Sequence, residues 1–284
     1  MHGGPGRNVG AKARPCVGMK KLDGCWLEYG PMSLRERILR TTVPTLVEVP
    51  LYKCPEPLVE VLVEVGAPCL RELYVSDTQV LRTIMRRPDA LGELELLTTF
   101  PKGWRLPDMC ILASALAQGA WPKLEYISFS DMEVGREGFQ TLLQGLATRL
   151  TTQAKPLDAL SVRGTLTDDD VDRLAEALRQ GKLSPALQHF SLGTDRQITG
   201  RWALRFAEVL KEGHAPLLQC LVLGGTKVTG DGAGALVSAV LTGCPLLTEL
   251  ILRKEIEQAE SNALQSMIRS AKRKPVLSIR YFSL

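Results

Sequence analysis

Apolar positions along the chain fall into two patterns that alternate. The first is a short strand-like motif with the spacing LxxLxL, beginning at Leu46, Leu70, Leu91, Leu124, Leu157, Leu187, Leu218, Leu247 and Val276. The intervals are 24, 21, 33, 33, 30, 31, 29 and 29 residues. Between these motifs lie stretches with helical apolar spacing: Leu58 to Val65, Cys110 to Leu116, Phe139 to Leu146, Val171 to Leu178, Ala203 to Leu210, Ala233 to Leu241 and Ala263 to Ile268. The unit from Leu157 to Leu192 is the clearest. Leu157, Leu160 and Val162 form the strand, and Thr167 is placed to cap a helix that opens with Asp168, Asp169 and Asp170, acids suited to the positive end of a helix dipole. Val171, Leu174, Ala175 and Leu178 make one apolar stripe, Gly181 ends the helix, and the strand motif returns at Leu187, Phe190 and Leu192.

A unit of about 30 residues cannot bury its apolar faces alone, so it must stack on copies of itself. Regular β–α alternation with right-handed crossovers gives a parallel sheet, and a fixed period bends that sheet into a solenoid. The rival is a closed (β/α)₈ barrel, which would not need the same strand motif in every unit. The reading predicts that Leu160, Val162, Leu221, Leu223, Leu250 and Leu252 lie buried between sheet and helix layer.

The N-terminal segment differs. Residues 1–31 are rich in Gly, Pro and basic residues without a period and read as a flexible basic arm. Ser33 and Glu36 then make a capping-box signature, with Leu34, Ile38 and Leu39 on the apolar side of a short helix that would cover the open end of the array at the start of a repeat domain spanning 32–284. Residues 1–45 carry 8 Lys/Arg against 3 Asp/Glu, and the remainder carries 27 against 28. The basic excess therefore belongs to the N-terminal segment, and the overall net charge of +4 does not argue for nucleic acid. Seven cysteines, at 16, 25, 54, 69, 110, 220 and 244, form no CxxC pair. Such usage reads as reduced thiols and a cytoplasmic protein. Residues 1–22 lack acids and carry Arg7, Lys12, Arg14, Lys20 and Lys21, which keeps organelle import as the alternative, although Ser is absent there. No apolar run reaches the length of a membrane span.

The repeat resembles the leucine-rich repeats of the ribonuclease-inhibitor type, most clearly in Leu218-Gln-Cys-Leu221-Val-Leu223-Gly-Gly-Thr226-Lys-Val228 with Gly232, Ala235, Leu236 and Val240 after it. The resemblance covers roughly residues 46–284. It implies a horseshoe with a parallel sheet on the concave side and helices on the convex side. In that family the ninth place of the strand motif usually holds Asn or Cys, bonded to the neighbouring turn. Here it holds Thr78, Thr99, Met132, Thr165, Thr226 and Glu255, and the chain has only Asn8 and Asn262. One hydroxyl in place of an amide predicts a thinner ladder and a less regular horseshoe. Functionally, the resemblance implies non-catalytic recognition of a protein partner through the concave face. The alternatives it carries are regulation of an enzyme such as a small GTPase, since Ran GTPase-activating proteins bear such repeats, or a piece of a larger repeat-containing receptor.

Chemical motifs add little. There is no phosphate loop, GxSxG or HExxH, so no cofactor, metal or catalytic residue is assigned. The glycines at 224, 225, 230, 232 and 234 fall at a strand-to-helix turn where a compact repeat needs small residues. Trp104, Trp121 and Trp202 read as packing residues near loops and a helix start. His189, Cys220 and Glu249 share the third place of consecutive repeats, which lines up an imidazole, a thiol and a carboxylate, the order of an activated nucleophile. Chance alignment on an exposed row is the simpler account.

Places three, five, seven and eight of each repeat define the expected protein-binding face. In the first four repeats they include Glu48, Lys53, Glu72, Tyr74, Asp77, Glu93, Glu95, Tyr126 and Asp131. In the later ones they include Arg163, His189, Glu249, Arg253, Lys254 and Arg280, with Ser128, Ser130, Ser161, Gly164 and Ser191 between. The face is expected to be acidic at its N-terminal end and basic at its C-terminal end, and to steer a partner of opposite polarity.

Overall fold

Leu73, Leu97, Ile127, Leu160, Phe190, Leu221 and Leu250 stand side by side, one from each of seven consecutive strands. Each occupies the fourth place of its repeat, and none exposes more than 1% of its surface. Two places further on, Val75, Thr99, Phe129, Val162 and Leu192 form a second buried row. Side chains two apart on a strand share a face, so these rows commit one face of the sheet to the core.

These positions come from a computed structural model, which describes residues 40, 45–51, 56–99, 104–132, 135–193, 198–224, 226–228, 230–253, 258–271 and 277–282. The strands are β1 (Glu48–Leu51), β2 (Glu72–Val75), β3 (Leu96–Thr99), β4 (Tyr126–Met132), β5 (Ala159–Gly164), β6 (His189–Gly193), β7 (Cys220–Val222), β8 (Glu249–Arg253) and β9 (Ser278–Phe282). Each pairs in parallel with its sequence neighbours, in the order β1 to β9. Between them run α1 (Glu56–Val65), α2 (Thr78–Met85), α3 (Leu106–Ala117), α4 (Gly135–Arg149), α5 (Asp168–Arg179), α6 (Gly200–Lys211), α7 (Gly230–Gly243) and α8 (Gln258–Ser270). This is the α/β architecture of a leucine-rich-repeat solenoid, with the sheet on the concave side. The proposed arm, residues 1–31, and the helix proposed for Ser33 to Leu39 lie outside the described residues.

One expectation of the register is corrected. The third repeat does not begin at Leu91. Leu73 pairs with Leu97, so the motif there is Leu94, Leu97 and Thr99, three residues later. Leu91 ends a short 3₁₀ turn, Pro88–Leu91, and is buried in it. The stretch LGELELLTT fits LxxLxL from Leu91 but also LxxL from Leu94, and a Thr at the sixth place hid the second reading. The Thr99 side chain is tolerated in the core because its hydroxyl donates to the Ser128 carbonyl at 3.2 Å. The interval before this repeat holds a helix, α2, which buries Val80, Leu81, Ile84 and Met85.

The expected irregularity is local among the paired strands. Register runs one to one from β1 to β9 except at β4, where Phe129 faces Val162 and Met132 faces Gly164, so that Ser130 and Asp131 oppose Arg163 alone. Of the ninth-place threonines, Thr226 is buried and donates to Leu223 O at 2.9 Å, within its own repeat. Neighbouring repeats are tied by other groups. Asp170 accepts from the Thr167 amide at 3.0 Å and its hydroxyl at 2.7 Å, closing the start of α5. Asp168 reaches the next repeat and accepts from the Thr199 amide at 2.7 Å and its hydroxyl at 2.6 Å. On the helix layer, Asp169 sits between Arg136 at 3.4 Å and Arg201 at 3.3 Å, and Arg179 meets Glu212 at 3.0 Å.

Candidate functional site

The face of the sheet opposite the core carries two rows. At the third place run Glu48, Glu72, Leu96, Tyr126, Ala159, His189, Cys220, Glu249 and Ser278. At the fifth run Pro50, Tyr74, Thr98, Ser128, Ser161, Ser191, Val222, Ile251 and Arg280. Strands about 4.8 Å apart make each row a line of direct neighbours. Glu48, Glu72, Tyr74, Tyr126, His189, Glu249 and Arg280 therefore occupy the face on which the sequence places them, and Arg163 joins them at the seventh place of β5.

Others do not. The three-residue shift of the third repeat removes Glu93 and Glu95 from the face. Both precede β3; Glu93 meets Lys123, and Glu95 lies 3.5 Å from Arg71. Leu96 and Thr98 stand in the rows instead. Asp77 is engaged as the N-cap of α2, where it accepts from the Gln79 amide at 2.7 Å. Asp131 and Arg253 fall in β4 and β8 with side chains outside the described set, and Lys53 and Lys254 lie outside the described residues. The expected acidic N-terminal end is thus reduced, among the described side chains, to Glu48, Glu72 and the capping Asp77, and the Tyr74 hydroxyl donates to Glu72 at 3.0 Å.

The row of imidazole, thiol and carboxylate exists, but its hydrogen bonding does not suit a nucleophile. The Cys220 thiol donates to Glu249 at 3.6 Å, and Glu249 is also bound by Arg280 at 3.0 Å. Burial, reinforced by the Glu249 charge, pushes the Cys220 thiol up to about 11. The thiol is therefore protonated near neutral pH, whereas an attacking cysteine needs the thiolate. Trp104 packs edge-on against Phe129 with ring centroids 6.2 Å apart, and Trp202 stacks on Phe206 at 4.8 Å. With Trp121 they are buried side chains of the core.

In the middle of the face lies a depression of about 430 Å³. Its shape follows from residue size. At the third place the small Ala159 separates Tyr126 from His189, and at the seventh Arg163 is followed by Gly193 and Gly224. Gly193 leaves room for this arginine as it is placed: a Cβ would stand 2.7 Å from Arg163 Cγ, so the arginine stem lies across the glycine. Ser161 and Ser191 line the floor, with Val222 and Ile251 on the β7–β8 side. Sequence reasoning named Arg163, His189 and the serines but not the hollow between them. Its signal was the coincidence of Ala159, Gly193 and Gly224 at face positions, legible only once the register was known. Among the described residues, no group of three or more His, Cys, Asp or Glu side chains could hold a metal ion, and no helix is long and apolar enough to cross a membrane.

No protein-family model matches the chain. No curated protein matches it either. Among solved structures it is similar to a protein from Bacteroides fragilis, at 11% identity over 76% of this chain and 66% of that one, with a TM-score of 0.46. It is also similar to an internalin from Listeria monocytogenes, at 15% identity over 87% of this chain and 76% of the internalin, TM-score 0.38. A third is TLR13 in complex with ssRNA13, at 13% identity over 77% of this chain and 37% of that one, TM-score 0.36. The chain spans just under two thirds of the Bacteroides protein's length. Likenesses this distant carry no functional argument, which rests on the face itself.

Proposed function

We propose that the chain is a non-catalytic protein-recognition module, a repeat solenoid of the ribonuclease-inhibitor type acting in the cytoplasm and binding its partner on the concave sheet face. One contrast supports this reading. Among the described residues, the side chains of Tyr126, Ser161, Arg163, His189 and Ser191 on the concave face make no hydrogen bond or ion pair. Several helix-layer charges are instead paired from repeat to repeat, as in Arg136–Asp169–Arg201 and Arg179–Glu212. Unengaged donors and rings on a rigid sheet suit a contact with another molecule, and charges already paired do not. A protonated, hydrogen-bonded Cys220 suits the same non-catalytic role.

The test uses the chain as bait for proteins from a cytoplasmic extract, in three forms. One is unchanged, one carries Tyr126→Ala, His189→Ala and Arg163→Gln, and one carries Glu137→Gln, Lys211→Gln and Glu208→Gln on the helices. Proteins held by the first and third forms and lost from the second are the expected outcome. Equal retention by all three forms would place recognition off the concave face.

A further inference from the structure

The depression over β4 to β8 has an unusual balance of polar groups. Its free polar groups are the Arg163 guanidinium, the His189 imidazole, the Tyr126 phenol and the hydroxyls of Ser161 and Ser191, none of which has a partner among the described residues. Every one of these side chains can donate a hydrogen bond. The nearby carboxylate, Glu249, is already engaged by Arg280 at 3.0 Å and by the Cys220 thiol at 3.6 Å. What is left, among the described residues, is one cation without a partner, its stem lying across Gly193, and a hydroxyl-lined floor beside the apolar Val222 and Ile251.

We propose that this depression is a carboxylate-binding pocket and that it receives the side chain of a glutamate or aspartate from the bound protein segment. The inference rests on the recognition role proposed above and adds the chemistry of the contact. A guanidinium presents two parallel N–H groups that match a carboxylate, and the serines donate to the remaining lone pairs. A single cation balances a single charge; a phosphate would bring nearly two and leave one unmatched. Among the described side chains of these two repeats, two acids lie at the other end of the strands. Glu125 and Asp158, at the second place of their repeats, flank Lys155, and Asp158 is five residues before Arg163 on β5, roughly 16 Å along the strand. The cation that a carboxylate would meet in the depression is therefore Arg163, since Lys155 is already paired with Glu125. Val222 and Ile251 would cover the apolar stem that carries it.

Backbone amide NMR with three capped or free peptides tests this without the natural partner. The probes are acetyl-Leu-Glu-Leu-amide, acetyl-Leu-Gln-Leu-amide and acetyl-Leu-Gln-Leu with a free C-terminal carboxylate. The expected result is a saturable shift of amides in 159–164 and 189–193 by the Glu peptide, with binding at least threefold tighter than the capped Gln peptide. That preference should vanish in Arg163→Gln, and Arg163→Lys should restore only part of it, because Lys keeps the charge but not the fork. Shifts elsewhere in the spectrum report that each variant is folded. Equal binding of the Glu and Gln peptides, a preference that survives Arg163→Gln, or shifts confined to other strands would each overturn the pocket. Tighter binding of the free-terminus peptide than of the Glu peptide would overturn the side-chain assignment. Any of these outcomes leaves the bait experiment free to succeed, so the two proposals fail separately.

Discussion

The guanidinium of Arg149, at the C-terminal end of α4, donates to the carbonyl of Trp121 at 3.0 Å from beneath the loop that leads into β4. Trp121 is held there with φ of 52°, a backbone region that bulky residues rarely occupy. The same guanidinium reaches Ala120 O at 2.7 Å, Leu124 O at 3.3 Å and Lys155 O at 3.3 Å, so one side chain ties two successive loops. It is only 1% exposed, and burial lowers its pKa to about 10.

Replacing Arg149 by Met would leave those carbonyls without their donor and is expected to cost about 1–3 kcal/mol, the usual loss when buried acceptors go unsatisfied. Arg149→Lys should recover less than half, since one ammonium cannot span carbonyls from both loops. Urea unfolding with an unchanged slope is the measurement. An Arg149→Met midpoint equal to that of the parent would show that the loops hold themselves.

The corrected register of the third repeat makes opposite demands on two adjacent leucines. Leu97 is fully buried at the fourth place, and Leu96 is half-buried on the concave face. Leu97→Ala should therefore cost about 2–5 kcal/mol and Leu96→Ala well under half of that. Starting the repeat at Leu91 would predict the reverse, so the pair of melting curves decides between the two registers. Leu221→Ala, in a repeat whose register was never in doubt, calibrates the scale.

Most of the fold was legible because period and side-chain type agree. Leu160, Val162, Leu221, Leu223, Leu250 and Leu252 are all buried, and the five later repeats start where the motif does. The third repeat failed because Leu91, Leu94, Leu96 and Leu97 satisfy two phases at once, and only pairing with β2 selects between them. That single slip moved Glu93 and Glu95 onto the face and inflated its expected polarity. Asp77 has a second role that the face pattern did not reveal: an acid just after a strand is well placed to cap the next helix. The depression was not legible at all, because a hollow depends on which small residues become neighbours across strands. The buried role of Arg149 left no period in the chain.

Two glycines of α7 make opposite demands on a methyl group. A Cβ on Gly243 would lie 1.8 Å from the Leu210 carbonyl oxygen at the end of α6, whereas a Cβ on Gly234 would meet nothing within 4 Å. Gly243→Ala must push α7 from α6 and is expected to destabilise by about 1–3 kcal/mol. Gly234→Ala should instead stabilise by up to about 1 kcal/mol, through helix propensity alone. Thermal melts of the two variants in parallel check the closeness of the α6–α7 contact; a shared sign would contradict it.

The state of Cys220 is open to direct measurement. Its thiol pKa is raised to about 11, by burial first and then by Glu249, so the thiolate that reacts with alkylating reagents is scarce at neutral pH. Cys69 and Cys110 are exposed and serve as internal references. In the intact protein, iodoacetamide should label Cys69 and Cys110 first, and the Cys220 rate should keep climbing as pH rises past 9 toward 11, as read by mass spectrometry of the separate peptides. The stability this thiol contributes runs in the same sense. With a folded pKa above the unfolded value, it is fully present below the unfolded pKa and is lost as pH rises through the folded one. Glu249→Gln removes the neighbouring charge and the acceptor carboxylate, so the thiol pKa should fall while burial still holds it above its ordinary value. The labelling curve should then move to lower pH without reaching neutrality. A Cys220 that labels as fast as Cys110 at pH 7 would mean a thiolate on the concave face, and with it the return of His189 and Cys220 as a reactive pair.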